Sequence, residues 1–112
     1  MKPEDLLKHV LLLAMEESGL WEVLWELNTR YGHEPLAERR RAGELAVREL
    51  FKRGCLDFHR GKEPGGELKP VPVAEVESVL SDSRNWEAPA TGDVSIRFTA
   101  TEEGERLFKA GA

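Results

Sequence analysis

AERRRAGELAVRELFKRGCLDFHRG, residues Ala37 to Gly61, reads as a helix that runs through a glycine into a strand. The helix is expected over residues 35–53, with Pro35 opening it and Gly54 at the position just past its end, where a left-handed residue is usual. On a 3.6-residue period, Leu36, Gly43, Val47, Leu50 and Phe51 gather on one side. Glu38, Arg41, Leu45, Arg48, Glu49 and Lys52 lie opposite. Glu44 and Arg48 stand four apart in the order that favours an ion pair. The strand, residues 55–60, turns Leu56 and Phe58 inward and Asp57 and His59 outward, the alternation of a half-buried strand.

Two more helices precede this stretch. The first is expected over residues 3–17, with Pro at its first turn and Glu4 and Asp5 where the helix dipole favours acids. Leu6, Leu7, Val10, Leu11, Leu13 and Ala14 form its apolar stripe, and Leu12 falls outside it among Asp5, Lys8 and Glu16. Ser18-Gly19 stops that helix and starts the second, residues 20–31, with Leu20, Val23, Leu24, Leu27 and Tyr31 on one face. Trp21 and Trp25, four apart at the edge of that face, are read as closing the core.

Beyond the strand, residues 61–93 hold two polar loops around a short helix, Val71 to Ser81, which offers Val73, Val76, Val79 and Leu80 for burial. The second loop, SDSRNWEAPATGD, carries Trp86. A further strand follows at residues 94–99, VSIRFT, then a short closing helix with Thr101 as its N-cap. The whole is expected to be a single domain of residues 1–112.

The net charge is −5, unevenly spread. Residues 35–53 hold six basic and three acidic side chains, while both flanking regions are acidic. A duplex is gripped mainly through its phosphates, so only the 35–53 region offers DNA a favourable surface. No apolar run approaches membrane length, and the acidic start MKPEDLLK is unlike a secretory leader, so a cytoplasmic protein without membrane contact is expected. Cys55 is the single cysteine, which rules out an internal disulfide. His9, His33 and His59 are scattered without metal-ligand spacing, and no Gly-rich loop ends in the Lys-Ser/Thr that holds phosphates. No nucleophile, base and orienting group come together. Neither enzyme activity, nor a cofactor, nor a metal site is expected.

The order helix, helix, helix, strand, loop, strand resembles the winged helix-turn-helix of bacterial regulators. ELAVRELFKRGCLDFHR is similar to the end of that family's third helix and its first wing strand. IRFTATEEGERLF is similar to the second wing strand followed by a Thr-x-x-Gly turn. The resemblance implies an α+β fold: a three-helix bundle plus a two-stranded wing, here carrying an inserted short helix. It also implies a DNA-binding, transcription-regulator-like role, with helix 35–53 in the major groove of double-stranded DNA and a homodimer formed through helix 3–17. Carried onto this chain, Arg39, Arg40, Arg41, Arg48 and Lys52 would be the DNA contacts. The alternative is an acidic winged-helix protein-protein interaction module without DNA binding. It is motivated by the long connection around Thr29 to Glu34 and by an expanded wing whose cations, Arg60, Lys62, Lys69 and Arg84, are outnumbered by acids. Leu12, outside the apolar stripe, is the candidate contact of the dimer face on helix 3–17, and Trp86 is either the anchor for a protein partner or folds back to cap the hydrophobic edge of the wing.

Overall fold

Pro3, with Glu4 and Asp5 beside the unpaired amides of the first turn, starts helix α1 (Pro3–Met15). Leu6, Val10, Leu11 and Ala14 are its buried residues, as the stripe required. The helix ends two residues early because Glu17 turns left-handed, at φ 56°. Arg97 secures that turn by donating from Nη2 to the Glu17 carbonyl at 3.2 Å, and the Ser18 hydroxyl donates back to the Leu13 carbonyl at 2.7 Å. The chain leaves the turn extended, so Ser18–Gly19 becomes a short strand, β1. Helix α2 (Leu20–Arg30) follows at once, its start fixed by the Glu22 carboxylate accepting from the Gly19 N–H.

The coordinates are a computed structural model and describe residues 1–111. Helix α3 (Leu36–Lys52) buries Gly43, Ala46, Val47 and Leu50 and ends at Gly54, whose φ of 77° suits glycine. Leu36 was expected on the buried side but is exposed, because it sits in the first turn before the helix reaches the core. Strand β2 (Leu56–Lys62) pairs antiparallel with β4 (Val94–Ala100) along its whole length, from Leu56 opposite Ala100 to Lys62 opposite Val94. The expected two-stranded wing is thus the middle of a four-stranded sheet. Its order is β1-β4-β2-β3, with β3 (Lys69–Pro70) on the far edge. Helix α4 (Val73–Ser81) and a 3-10 turn (Ser83–Trp86) lie between β3 and β4. Val73 stays in solvent, while Val76, Val79 and Leu80 are buried. Helix α5 (Glu102–Lys109) closes the α+β domain, which has five α-helices in all among the described residues.

One cluster of side chains holds these elements together, with Leu11, Leu20, Leu27, Leu50 and Phe98 fully enclosed. Each such leucine is worth roughly 1.5–3 kcal/mol of transfer free energy. The Thr-x-x-Gly segment joins α5 to this core. The Thr101 hydroxyl accepts from the Gly104 N–H at 3.1 Å and donates to the Gly54 carbonyl at 2.6 Å. The Thr101 N–H donates to the Cys55 carbonyl at 3.0 Å. The segment is therefore a structural joint between the end of α3 and the start of α5.

A second joint is polar. The Ser95 hydroxyl and the Arg97 Nη1 both donate to Glu63 Oε1, each at 2.7 Å. Those bonds, the Ser95 hydroxyl first, hold the Glu63 carboxyl below its ordinary pKa. A carboxyl whose pKa is depressed by folding adds stability above its unfolded value, about 4.3 for glutamate, and loses it as pH falls through the lower folded value. Urea unfolding at pH 7 and at pH 3 should therefore show wild type well above Glu63→Gln at the higher pH and the gap narrowed at the lower. A gap that does not change with pH would mean that the carboxyl contributes no charge-dependent stability.

Candidate functional site

The surface that decides function is the outward side of α3, where the resemblance placed the DNA contacts. The five cations named there do not act together. Arg39 folds back under the connection between α2 and α3, its Nη1 donating to the carbonyls of Gly32, at 3.1 Å, and Glu34. It braces the Thr29–Glu34 connection and does not point outward as a contact would. Arg40 donates from Nε to Glu44 at 3.0 Å and lies over the Trp86 ring, 6.0 Å from its centroid. Arg48 pairs with Glu77 of α4 and donates from Nη2 to the Ser81 hydroxyl at 3.2 Å. Glu44 therefore takes Arg40, one turn before it, rather than the expected Arg48, one turn after. Only Arg41 and Lys52 are exposed and without an ionic partner among the described residues.

Arg40, Glu44 and Arg48 form a row at four-residue spacing, and the inserted segment meets that row at two points, Trp86 beside Arg40 and Glu77 with Ser81 at Arg48. Val76, Val79 and Leu80 anchor α4 in the core. The 3-10 turn after it packs against α2. Trp86 completes the contact. Its ring reaches Gly43, where an added Cβ would lie 3.9 Å from the Trp86 ring and 3.1 Å from Val23. The indole N–H donates to the Leu80 carbonyl at 2.9 Å. Trp86 is 2 % exposed, so it cannot serve as a surface anchor. Gly43 itself is required by α2, since a Cβ there would crowd Val23 and Leu27, whereas it would only touch the Trp86 ring.

The tryptophan that does face solvent is Trp25, 57 % exposed, with Trp21 edge-on beneath it at 4.6 Å between ring centroids. The reading that put both in the core fails for Trp25. The signal was present: at 100° per residue Trp25 sits about 140° around the helix from Leu20. Leu12 is exposed, as its place outside the stripe required, and Met15 beside it on α1 is exposed too.

The remaining chemistry-bearing groups stay apart. Cys55 is buried, and burial is the main reason its thiol is pushed above its ordinary pKa. His9 approaches the Tyr31 hydroxyl at 3.3 Å, and burial holds its imidazole below the usual pKa. His59 meets the Thr99 hydroxyl at 3.4 Å, and His33 lies in solvent 3.6 Å from its neighbour Glu34. Among the described residues no three of His, Cys, Asp and Glu are grouped to hold a metal, and no helix is long and apolar enough to cross a membrane. No family model, curated protein or solved structure matches this chain.

Proposed function

We propose that the chain is a winged-helix protein-interaction module in which the inserted segment takes the place that DNA would occupy on α3. The order α1-β1-α2-α3-β2-β4, with β1 paired to β4 and β4 to β2, supports the winged-helix reading. The observation that carries the functional reading is the occupied row: Arg40 on Glu44 and Trp86, and Arg48 on Glu77 and Ser81. A reading helix needs those side chains for base edges and phosphates. Here they are bound to carboxylates of the same chain, within a protein of net charge −5. The DNA-binding regulator remains the second reading, and it rests on Arg41 and Lys52.

Binding to a random-sequence duplex across a salt series tests the choice, with light scattering alongside to detect pairing through α1. Two phosphate contacts give a salt slope of only about −1.8, too shallow for useful affinity at physiological salt. The expected result is no measurable binding above about 100 mM salt, the range in which a few weak phosphate contacts are screened. Tight binding with a slope of about −5 or steeper would restore the DNA reading and require the insertion to move off α3.

A further inference from the structure

The outward face of α3 carries a regular pattern. Glu38, Arg41, Leu45 and Lys52 are exposed, and Glu49 is half-buried in line with them. At 100° per residue all five lie within about 40° of one line along the helix. Their spacings of three, four, four and three residues give the 3.5-residue period that keeps a seam straight against a second helix. Leu45 stands at the centre of the stripe, 56 % exposed. It also borders an apolar groove of about 360 Å³, shared with Leu7 of α1 and Ala42.

The charges on the two sides of Leu45 are opposite in sign at equal distances. Arg41 lies four residues before it and Glu49 four after; Glu38 lies seven before it and Lys52 seven after. Such a stripe is its own complement, in one orientation only. Two copies laid antiparallel across a two-fold axis at Leu45 place Arg41 opposite Glu49 and Glu38 opposite Lys52, and the symmetry makes each contact twice. Laid parallel, the same stripes oppose like charges at every charged position, which disfavours that arrangement. The groups are available for this. The ion pairs formed along α3 are Arg40–Glu44, Arg48–Glu77 and Arg53–Glu49, which leaves Glu38, Arg41 and Lys52 unpaired among the described residues. Glu49 accepts from Arg53 at Oε2, and its Oε1 can take a second cation.

We infer that a second copy of this chain binds here, through an antiparallel α3–α3 contact centred on Leu45. The two Leu45 side chains meet on the axis beside the apolar grooves, and the ion pairs flank them along about 21 Å of helix. Apolar contact at the centre supplies affinity, and the flanking charges fix orientation and register. A different protein would have to present this pattern reversed, whereas a second copy already carries it. The pairing rests on the interaction-module reading, in which α3 is not committed to DNA, and names one partner for it. Ion pairs at a surface are weak and screened by salt, so the dimer should dissociate on dilution and in high salt.

Sedimentation equilibrium of the full chain tests this across a series of concentrations and salts. The expected result is a reversible monomer–dimer equilibrium that weakens as salt is added. Lys52→Glu sets carboxylate against carboxylate twice per dimer and should weaken association about tenfold or more. Adding Glu38→Lys to that variant restores both contacts, in the antiparallel arrangement alone, and should recover the dimer. Leu45→Asp places two carboxylates together on the axis and should abolish pairing, while Leu12→Asp on α1 should leave it unchanged. All these positions are exposed, and thermal melts confirm that the variants fold. A chain that stays monomeric throughout overturns the inference. So does a double variant that pairs no better than Lys52→Glu, or a dimer that Leu12→Asp dissociates and Leu45→Asp does not. Failure of the interaction-module reading is distinguishable, because it shows as tight, steeply salt-dependent binding of duplex.

Discussion

Trp86→Ala is expected to lower the stability of the domain by about 3–5 kcal/mol, the range for truncating a buried aromatic side chain. Several losses add together. The ring is buried, packed with its 3-10 turn against α2 and reaching α3 beside Gly43, so truncation leaves a cavity in the core. Removing the indole N–H also leaves the buried Leu80 carbonyl without its 2.9 Å donor, and a buried unsatisfied group costs roughly 1–3 kcal/mol. Total stability for a domain of this size is about 5–15 kcal/mol, so the variant should unfold at far lower urea or not fold at body temperature. Trp86→Phe separates the two effects. It keeps most of the packing and loses the hydrogen bond, and it should cost about 1–2 kcal/mol. A Trp86→Ala variant within about 1 kcal/mol of wild type would mean that the insertion is not anchored on α3. The insertion would then leave Arg40 and Arg48 free to reach DNA.

Gly104→Ala should be the next most damaging single change. A Cβ at this position would fall well inside van der Waals contact distance of the Cys55 carbonyl oxygen and lie 3.3 Å from the Ala100 Cβ. The obstacle is backbone, so no side chain can rotate away. Alanine favours helix over glycine by roughly 0.5–1 kcal/mol, but overpacking costs about 1–3 kcal/mol, sometimes more. Relief requires α5 to move outward, which stretches the Thr101 N–H bond to the same Cys55 carbonyl. The net expectation is a loss of about 2 kcal/mol, or a fall in Tm of roughly 8 °C or more. An unchanged Tm would show that α5 is not seated against the end of α3 in solution.

The local rules read the helices and central strands well. Pro3, Pro35 and Gly54 marked their ends, and alternation in Leu56–His59 and in VSIRFT marked β2 and β4. Short-range patterns, however, do not contain long-range pairings. Arg48 finds Glu77 across 29 positions, so helix periodicity could only offer Glu44. Strand β1 is two residues long and depends on β4, far along the chain, which no alternation over so short a run could reveal. Trp86 is buried against helices that lie far from it in the chain, and the polar loop around it carries no sign of that. For the candidate surface, periodicity put Arg41, Leu45 and Lys52 on one side of the helix, but which of its cations stay unpaired depended on where the insertion docks.

Both ends of the sheet are short. The strand β1 has two residues, and β3 has two, the second of them Pro70, which has no N–H to donate. Each edge strand therefore offers an incoming extended peptide only two residues to pair with. Edge strands this short are poor templates for strand addition. Under the interaction-module proposal, partner contacts then fall on side chains of the helices, where single substitutions can tune them.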